Sequence, residues 1–363
     1  SKSLSPDLYI NVGCLVSPLG STTDEAIINL FKSNSGLSTS DVFNGFSDYF
    51  SGYIEGLSVN NRFNDLLDLA IRNILENYSG IASSPETIFV ISSSKGDLGL
   101  LPRNPFQLLS SEIQARLNTV HKPLVISNAG ISGVLAINVA ADLLRVHKYR
   151  HAIVIGIDTL SEFVLRGFNS LFALSVSSCK PYDKNRKGIN LGEAAGVVVL
   201  STDKNSGDYK AKHLSGISRN DANHISGPSR TGEGLYLAVK DCLKLACIDG
   251  SDLDYISSHG TATLYNDEME SIAFDRLGLN NVPLNSFKAF VGHTLGASGV
   301  VETILGIKSM EQGRVAASLG FKVMGVSKPI NVAAEIIEIE PHYFLKTASG
   351  FGGCNAALVI ENL

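Results

Sequence analysis

Short apolar segments that alternate with helical patterns limit the fold of this 363-residue chain most strongly. Three of them, Thr87–Ser92, Pro123–Ser127 and His151–Ile157, are rich in β-branched residues and apolar on both faces. Such strands are typical of the centre of a parallel sheet that is covered on both sides. The sequence therefore predicts an α/β fold with a sheet between layers of helices.

Two helices with different surroundings are predicted around these strands. Asn61–Tyr78 carries apolar residues at helical spacing, which indicates an amphipathic helix covering the sheet. Ile131–His147 has little polar face and is expected to be buried. Strand-like runs return in the second half, at Val197–Leu200, Tyr255–Ser258, Phe344–Ala348 and Ala356–Ile360. We expect two comparable α/β halves, residues 1–195 and 196–363.

Composition excludes several classes of protein. With 44% hydrophobic residues the chain can bury a large core, and its net charge of -5 without long runs of one sign argues against nucleic-acid binding. Ser1–Gly20 lacks a basic region followed by an apolar stretch, and no segment approaches the length of a membrane span. The five cysteines form no CxxC pair, so we expect buried free thiols. These observations predict a cytoplasmic protein.

Three glycine-bearing segments, His259–Thr263, Gly292–Gly299 and Gly350–Asn355, each follow a strand-like run. Loops at the carboxyl ends of strands are where open α/β sheets build their sites. Taken singly, each segment has an ordinary structural explanation, because histidines are often buried structural residues and glycines serve tight turns. A metal site made by His259 and His293 is disfavoured, since no acidic or thiol ligand lies at a recognised spacing.

Taken together and in this order, the three segments closely resemble the β-ketoacyl-[acyl carrier protein] synthases, the condensing enzymes of the thiolase-like superfamily. The family pattern HGT-x-T, K-x3-GH-x2-GA-x-G and GFGG-x-N is matched by His259–Thr263, Lys288–Gly299 and Gly350–Asn355. Further agreement lies at Val16–Gly20, Ser35–Leu37, Lys180–Asp183, Arg186, Gly188, Gly192 and Glu193. The resemblance implies a thiolase-like fold, with two similar halves in a five-layered α/β/α/β/α arrangement and the site between them.

The resemblance also assigns roles to individual residues. It implies that His259 and His293 polarise the thioester carbonyl of a malonyl unit, so that two imidazole donors stabilise the enolate left by decarboxylation. Lys288 and Glu270 occupy the positions of a family ion pair, and we expect Lys288 to orient His293. Phe351 matches the residue that gates the acyl pocket, and its backbone N–H belongs to the oxyanion hole; the alternative is that Phe351 fills a gap in the core.

The implied partner is an acyl carrier protein whose phosphopantetheine arm delivers acyl and malonyl groups. Thr261 and Thr263 match positions that hydrogen-bond this arm, and Gly352 lets the neighbouring backbone approach the thioester. The resemblance requires no metal, nucleotide or other cofactor. It implies a homodimer, or a heterodimer with a related ketosynthase subunit, with the interface near His151–Ile157. A basic cluster could dock the carrier, although cations are also favoured after a helix and we prefer that explanation; it comprises Arg145, His147, Lys148, Arg150 and His151.

One position departs from the family pattern. The family's nucleophilic cysteine sits between a strand and a buried helix, three residues before a glycine, and Gly130 stands there in this chain. None of the five cysteines reaches that place by a one- or two-residue shift. Ser127 and Ser132 are nearby, but neither has the register or an adjacent base, and such a hydroxyl is a poor nucleophile. Without the thiol the chain cannot take up an acyl group and complete a condensation.

Three explanations stay open for Gly130. The first explanation is that the chain is an engineered cysteine-to-glycine variant of an active synthase, which we favour because the other catalytic positions are intact. The second is that it is a natural non-catalytic partner resembling a chain-length factor, paired with a cysteine-bearing subunit. The third is that it is a malonyl-thioester decarboxylase or has another acyl-thioester activity, because decarboxylation requires the two histidines and the oxyanion hole rather than sulfur. Fatty-acid, polyene and polyketide assembly would all use this set of residues.

Overall fold

The computed structural model describes residues 5–221 and 227–363. Its strands are β1 (Tyr9–Val16), β2 (Thr87–Ser92), β3 (Leu124–Ile126), β4 (His151–Asp158), β5 (Ala194–Ser201), β6 (Ala211–Asn220), β7 (Tyr255–Ser257), β8 (Pro283–Asn285), β9 (Arg314–Val315), β10 (Asn331–Val332), β11 (Ile337–Glu338), β12 (Tyr343–Gly350) and β13 (Cys354–Asn362). Its helices are α1 (Thr23–Phe31), α2 (Arg62–Ala82), α3 (Pro105–Leu117), α4 (Ser132–Arg145), α5 (Glu162–Ser170), α6 (Glu233–Ala246), α7 (Leu264–Arg276), α8 (Lys288–Val291) and α9 (Ser298–Gln312).

Within these two ranges, no helix is both long enough and apolar enough to cross a membrane. The expectation that Ser1–Gly20 carries no targeting signal falls partly on residues 1–4, which lie outside the described residues.

Eleven of the described strands are hydrogen-bonded into one continuous sheet, and β9 pairs with β11 in a separate small sheet. The two parts of the large sheet, which meet between β1 and β6, are called the first and the second sheet. The first has the order β3-β2-β4-β5-β1 and the second β6-β13-β12-β7-β8-β10, with Tyr9 and Ile10 of β1 pairing with β6 across the junction. β2 runs parallel to β3 and to β4, as predicted. β5 runs antiparallel to both β4 and β1. The prediction of parallel strands is therefore confirmed for β2, β3 and β4, but β3 is an edge strand rather than a central one.

Helices cover both outer faces and fill the space between the sheets. α2 and α3 pack on the outer face of the first sheet through side chains such as Leu66 and Ile113. α6 and α7 cover the outer face of the second sheet. α4 and α9 lie between the sheets in the largest core, where Ile137 and Ile304 are fully buried. The five-layered α/β/α/β/α arrangement and the buried helix after residue 131 are confirmed.

The two central helices touch backbone to backbone. A Cβ on Gly133 would lie 2.5 Å from the Val300 nitrogen, and a Cβ on Gly299 would lie 2.3 Å from the Val134 nitrogen. A side chain at either glycine would push the helices apart. Both helices begin with the sequence Ser-Gly-Val, so the two halves share a short repeat around this contact.

Two expectations about boundaries need correction. The division between residues 195 and 196 falls inside β5, which pairs with β1 and β4 of the first sheet. We propose instead that the halves divide between β5 and β6, where the chain passes to the second sheet. β4 is an interior strand, because all eight of its residues are buried between β5 and β2, so a subunit interface near it, which stays a prediction, cannot be formed by β4 itself. The first sheet ends at β3, where Leu124 is exposed.

Candidate active site

A cavity of about 1130 Å³ lies at the carboxyl end of β2 and extends between the two halves. Its lining is mostly apolar and includes six of the nine candidate site residues, namely Gly130, His259, Thr261, Thr263, His293 and Phe351. The structure thus brings together segments that lie more than 200 residues apart in the chain. Lys288, Glu270 and Gly352 do not line it.

Loops between elements position four of the candidate residues in the cavity, and three of these loops follow strands. Gly130 lies in the single 3-10 turn between β3 and α4. His259 comes two residues after β7, and His293 follows α8 through Gly292, whose φ of +77° favours glycine. Phe351 lies in the turn between β12 and β13. These are the loop positions at which an α/β fold places functional side chains.

The two histidines face each other with ring centroids 5.2 Å apart and ring planes at 89°. Lys288 Nζ lies 3.3 Å from His259 Nδ1, and the Leu295 N–H donates to His293 Nδ1 at 3.1 Å. An ammonium and a backbone N–H can only donate, so each Nδ1 accepts and each proton sits on Nε2. Burial lowers the pKa of both histidines well below the usual value, and the Lys288 charge adds to this. Both rings are therefore neutral Nε2–H donors at pH 7.

These rings surround the position of the missing thiol. A Cβ on Gly130 would lie 3.3 Å from His259 Cε1 and 3.5 Å from His293 Nε2. The same Cβ would also lie 2.5 Å from the Ser349 carbonyl oxygen, which is closer than real Cβ contacts. The end of β12 therefore occupies the space that a side chain at residue 130 would need.

The thiol of Cys354 also lines the cavity but does not replace the missing nucleophile. Its Sγ lies 3.5 Å from the Phe351 carbonyl oxygen, and burial raises the pKa of the thiol. A protonated thiol without a neighbouring base is unreactive. All five cysteines are free, and the expectation of burial is wrong only for Cys247, which is exposed at the end of α6.

The expected ion pair between Lys288 and Glu270 is wrong. Both oxygens of Glu302, on α9, lie 3.1 Å from Lys288 Nζ. Glu270 instead accepts the backbone N–H of His259 at 3.0 Å. Burial raises the pKa of Glu270 to about 7, and the nearby Asp267 charge acts in the same direction. Lys288 also contacts His259 rather than His293, so the expected orienting contact is made to the other ring.

Two buried charged residues were missed from the sequence. Glu302 and Lys346 are about 1% exposed, and Lys346 Nζ lies 2.8 Å from Glu302 Oε1. Lys346 also donates to the Ser258 carbonyl oxygen at 3.1 Å, next to His259. Both stand alone among apolar or small neighbours in the sequence, and that pattern was the available signal.

The remaining predicted residues have different outcomes. The hydroxyls of Thr261 and Thr263 lie 2.7 Å apart on the cavity wall. Phe351 stacks on Phe168 with centroids 5.8 Å apart and is 46% exposed, so the idea that it fills a core gap is wrong. Gly352 is exposed on the turn beside it, with a φ of +86°, and is not brought to the cavity.

The basic cluster after α4 lies away from the cavity, at the opposite end of β4. Arg145 donates to the carbonyl oxygen and Nδ1 of His213. His151 is buried against Ser201, and Arg150 pairs with Asp203. Arg145 and His151 are thus engaged within the protein, whereas Arg150 pairs at the surface. Arg145 lies in the last turn of α4, which fits the preferred explanation of a cation at the end of a helix.

Comparison with known proteins identifies the family. The model for "Beta-ketoacyl synthase, N-terminal domain" matches residues 106–206 and the model for the C-terminal domain matches residues 212–322. The chain belongs to the β-ketoacyl synthase family. The two matches meet between β5 and β6, where the chain changes sheets.

Curated relatives match part of the chain. The 3-oxoacyl-[acyl-carrier-protein] synthase 2 of Rhizobium meliloti is 33% identical over 213 residues, which cover 54% of this chain and 50% of that protein. Nodulation protein E of Rhizobium leguminosarum bv. trifolii is 28% identical over 246 residues, 66% of this chain and 61% of that protein. The chain spans about half the length of most curated relatives it matches.

Solved structures match the whole fold. The ishigamide ketosynthase/chain length factor has a TM-score of 0.91 at 20% identity, covering 99% of this chain and 100% of that chain. A ketosynthase in complex with its chain length factor from Xenorhabdus doucetiae has a TM-score of 0.86 at 23% identity and covers 100% of both chains. The fold is that of the thiolase-like ketosynthases.

Proposed function

We propose that this protein binds a malonyl group carried as a thioester on an acyl carrier protein and decarboxylates it without forming an acyl-enzyme. One observation carries the proposal: two neutral imidazole donors, each with a fixed tautomer, surround Gly130 in a cavity where no thiol stands at that position. This is the part of the family's chemistry that needs no nucleophile.

The reaction is a change of bonds within the malonyl group. The bond between the carboxylate and Cα breaks, CO₂ leaves, and its electron pair forms an enolate with the thioester carbonyl. The Nε2–H groups of His259 and His293 donate to the enolate oxygen as its charge develops, which lowers the barrier. Protonation of the enolate carbon by water then gives the acetyl thioester.

The cavity wall supports delivery by a carrier arm. Thr261 and Thr263 place two hydroxyls along the wall that leads to the histidines. The Phe168 and Phe351 rings stack at the exposed side, and the largely apolar lining suits an acyl chain. The carrier protein and its phosphopantetheine arm are the partner that we propose.

We further propose that Gly130 is native to this chain. A cysteine-bearing synthase that had lost its side chain by a single substitution would keep space for a Cβ, whereas here the Ser349 carbonyl oxygen lies 2.5 Å from that point. This contact argues against the engineered variant that the sequence favoured.

The test measures CO₂ release from malonyl-carrier protein labelled in the free carboxylate, with the acetyl-carrier product followed by mass spectrometry. We expect release by the wild-type chain and by Gly80→Ala, a control in α2 with open space around it. His259→Asn and His293→Asn should each lower the rate by roughly 10²- to 10³-fold, as loss of one oxyanion donor does. No release above background by the wild type would refute decarboxylation.

A Gly130→Cys variant tests the native glycine separately. With acyl- and malonyl-carrier protein supplied, we expect it to make no β-ketoacyl product. Condensation by this variant alone would restore the disabled-synthase explanation.

A second function, as the non-catalytic member of a heterodimer, is favoured by a group of exposed aromatic side chains at the mouth of the cavity. Phe163, Phe172 and Tyr265 line the cavity and are 74%, 93% and 77% exposed. Apolar side chains grouped in this way are typical of surfaces that bind another protein. This function predicts that addition of the chain changes the product length of a cysteine-bearing ketosynthase, and that His293→Asn retains the effect while losing CO₂ release.

A further inference from the structure

A buried cluster of three charged side chains lies directly behind His259. Glu302 accepts from Lys288 at 3.1 Å and from Lys346 at 2.8 Å, and all three side chains are at most 1% exposed. Lys288 also donates to the His259 carbonyl oxygen at 2.6 Å, and Lys346 donates to the Ser258 carbonyl oxygen at 3.1 Å. The cluster therefore holds the segment that carries His259 from behind.

The charges of this cluster do not balance. Glu302 is the carboxylate that lies within 4.0 Å of either ammonium among the described residues. Burying two lysines costs several kcal/mol per ion unless each is paired, and one carboxylate cannot neutralise both. A buried group that is so costly to keep suggests a use beyond stability.

We propose that Lys346 is a positioning residue of this site: by sharing Glu302 with Lys288, it keeps the Lys288 ammonium against His259 Nδ1, so that His259 presents its Nε2–H to the cavity. Lys346 touches neither the histidine ring nor the cavity, so it acts through Glu302 and Lys288. The inference rests on the proposed function, because the Nε2–H is useful only if an enolate oxygen forms there.

Electrostatics supports the same role. Burial lowers the pKa of His259 first, the Lys288 charge lowers it further, and Lys346 adds to the effect. With Lys346 removed, the Lys288–Glu302 pair would be neutral overall, and the ring would be protonated more easily. A protonated ring loses the acceptor at Nδ1, and the Lys288 contact then becomes repulsive.

Lys346 should also set an upper pH limit. Burial lowers its pKa to about 8, with Glu302 opposing and Lys288 reinforcing the shift. The charged groups facing it are Glu302 from α9, Lys288 from α8 and Glu270 from α7. The ammonium is present below pH 8 and lost as the pH rises through 8, so the decarboxylation rate should fall over that range.

The experiment compares Lys346→Met with Lys308→Met, a partly exposed lysine of α9 that pairs with Glu311. Histidine ring ¹⁵N shifts are recorded across pH in the full chain, with His259 assigned from the His259→Asn spectrum, and kcat and KM for malonyl-carrier protein are measured in parallel. In the wild type we expect an unprotonated Nδ1 and a protonated Nε2 at pH 7. In Lys346→Met we expect the His259 titration to move to higher pH and kcat to fall by about tenfold at unchanged KM. The decline of the decarboxylation rate near pH 8 should disappear in this variant. Lys308→Met should match the wild type.

An unchanged His259 titration in a folded Lys346→Met protein would overturn the inference and leave Lys346 a purely structural residue. If that variant does not fold, a wild-type His259 protonated at Nδ1 at pH 7 would overturn it equally. Failure of the proposed function has a different signature. In that case the wild type releases no CO₂, while Lys346→Met still shifts the His259 resonances.

Discussion

Replacing Gly130 by alanine adds one methyl group at the most crowded point of the cavity. The new Cβ would lie 2.5 Å from the Ser349 carbonyl oxygen, whereas carbon and oxygen atoms normally approach to about 3.3 Å. The end of β12 must therefore move by nearly 1 Å, although β12 is paired along its length with β13. Overpacking of this kind costs about 1–3 kcal/mol. The loss of glycine freedom in the unfolded chain offsets about 0.4–1 kcal/mol of that cost.

We therefore expect Gly130→Ala to lower the free energy of unfolding by about 1–2 kcal/mol. Urea denaturation followed by circular dichroism measures this change. Gly80→Ala is the matched control: its Cβ meets nothing within 4 Å in α2, and we expect a gain of about 0.5–1 kcal/mol from helix propensity. If Gly130→Ala proves as stable as Gly80→Ala, the Ser349 contact does not constrain residue 130, and the argument for a native glycine fails.

Two further predictions concern stability. Burial holds His293 neutral while its unfolded form titrates near pH 6.5, so stability is lost as the pH falls below 6.5. In urea titrations, His293→Asn should reduce this loss between pH 7 and 5.5 by about 1.4 kcal/mol. An unchanged dependence of the free energy of unfolding on pH would contradict a neutral His293. Glu193 is fully buried and accepts from Arg62 and from the Ile54 and Leu160 N–H groups, so Glu193→Gln should cost about 3–5 kcal/mol by leaving Arg62 unpaired. Thermal unfolding measures this cost, and the exposed pair of Glu233 with Arg276 gives the control, where Glu233→Gln should cost under about 1 kcal/mol. Equal costs for the two variants would contradict a buried, paired Glu193.

The parts of the fold that depend on local pattern could be predicted from the sequence. β2 has the predicted bounds, and the apolar run after residue 131 is the buried helix α4. The three glycine-bearing segments could be placed at the site because each carries a spaced motif, although the expectation that each follows a strand is wrong for Gly292–Gly299, which follows α8. His259 and His293 needed only that spacing to be brought together.

The parts that depend on how elements face each other could not be predicted. Lys288, on α8, pairs with Glu302, on α9, and no spacing in the chain distinguishes that partner from Glu270. The antiparallel direction of β5 is set by its pairing with β1, about 180 residues earlier. Space for a side chain at Gly130 depends on the end of β12, more than 200 residues later. Each of these facts is tertiary rather than local.

The glycine contact between α4 and α9 has a mechanical consequence for the cavity. The backbones of α4 and α9 already touch at Gly133 and Gly299, so no side chains separate the two halves at this point. Close-packed interiors resist compression, so the halves should move as one rigid block. A ligand then enters without domain closure, and the motion must come from surface turns such as the one that carries Phe351. The volume of the cavity near the two histidines is therefore fixed by the packing of α4 against α9. Only the outer end of the cavity, near Phe351, can adapt to a bound ligand.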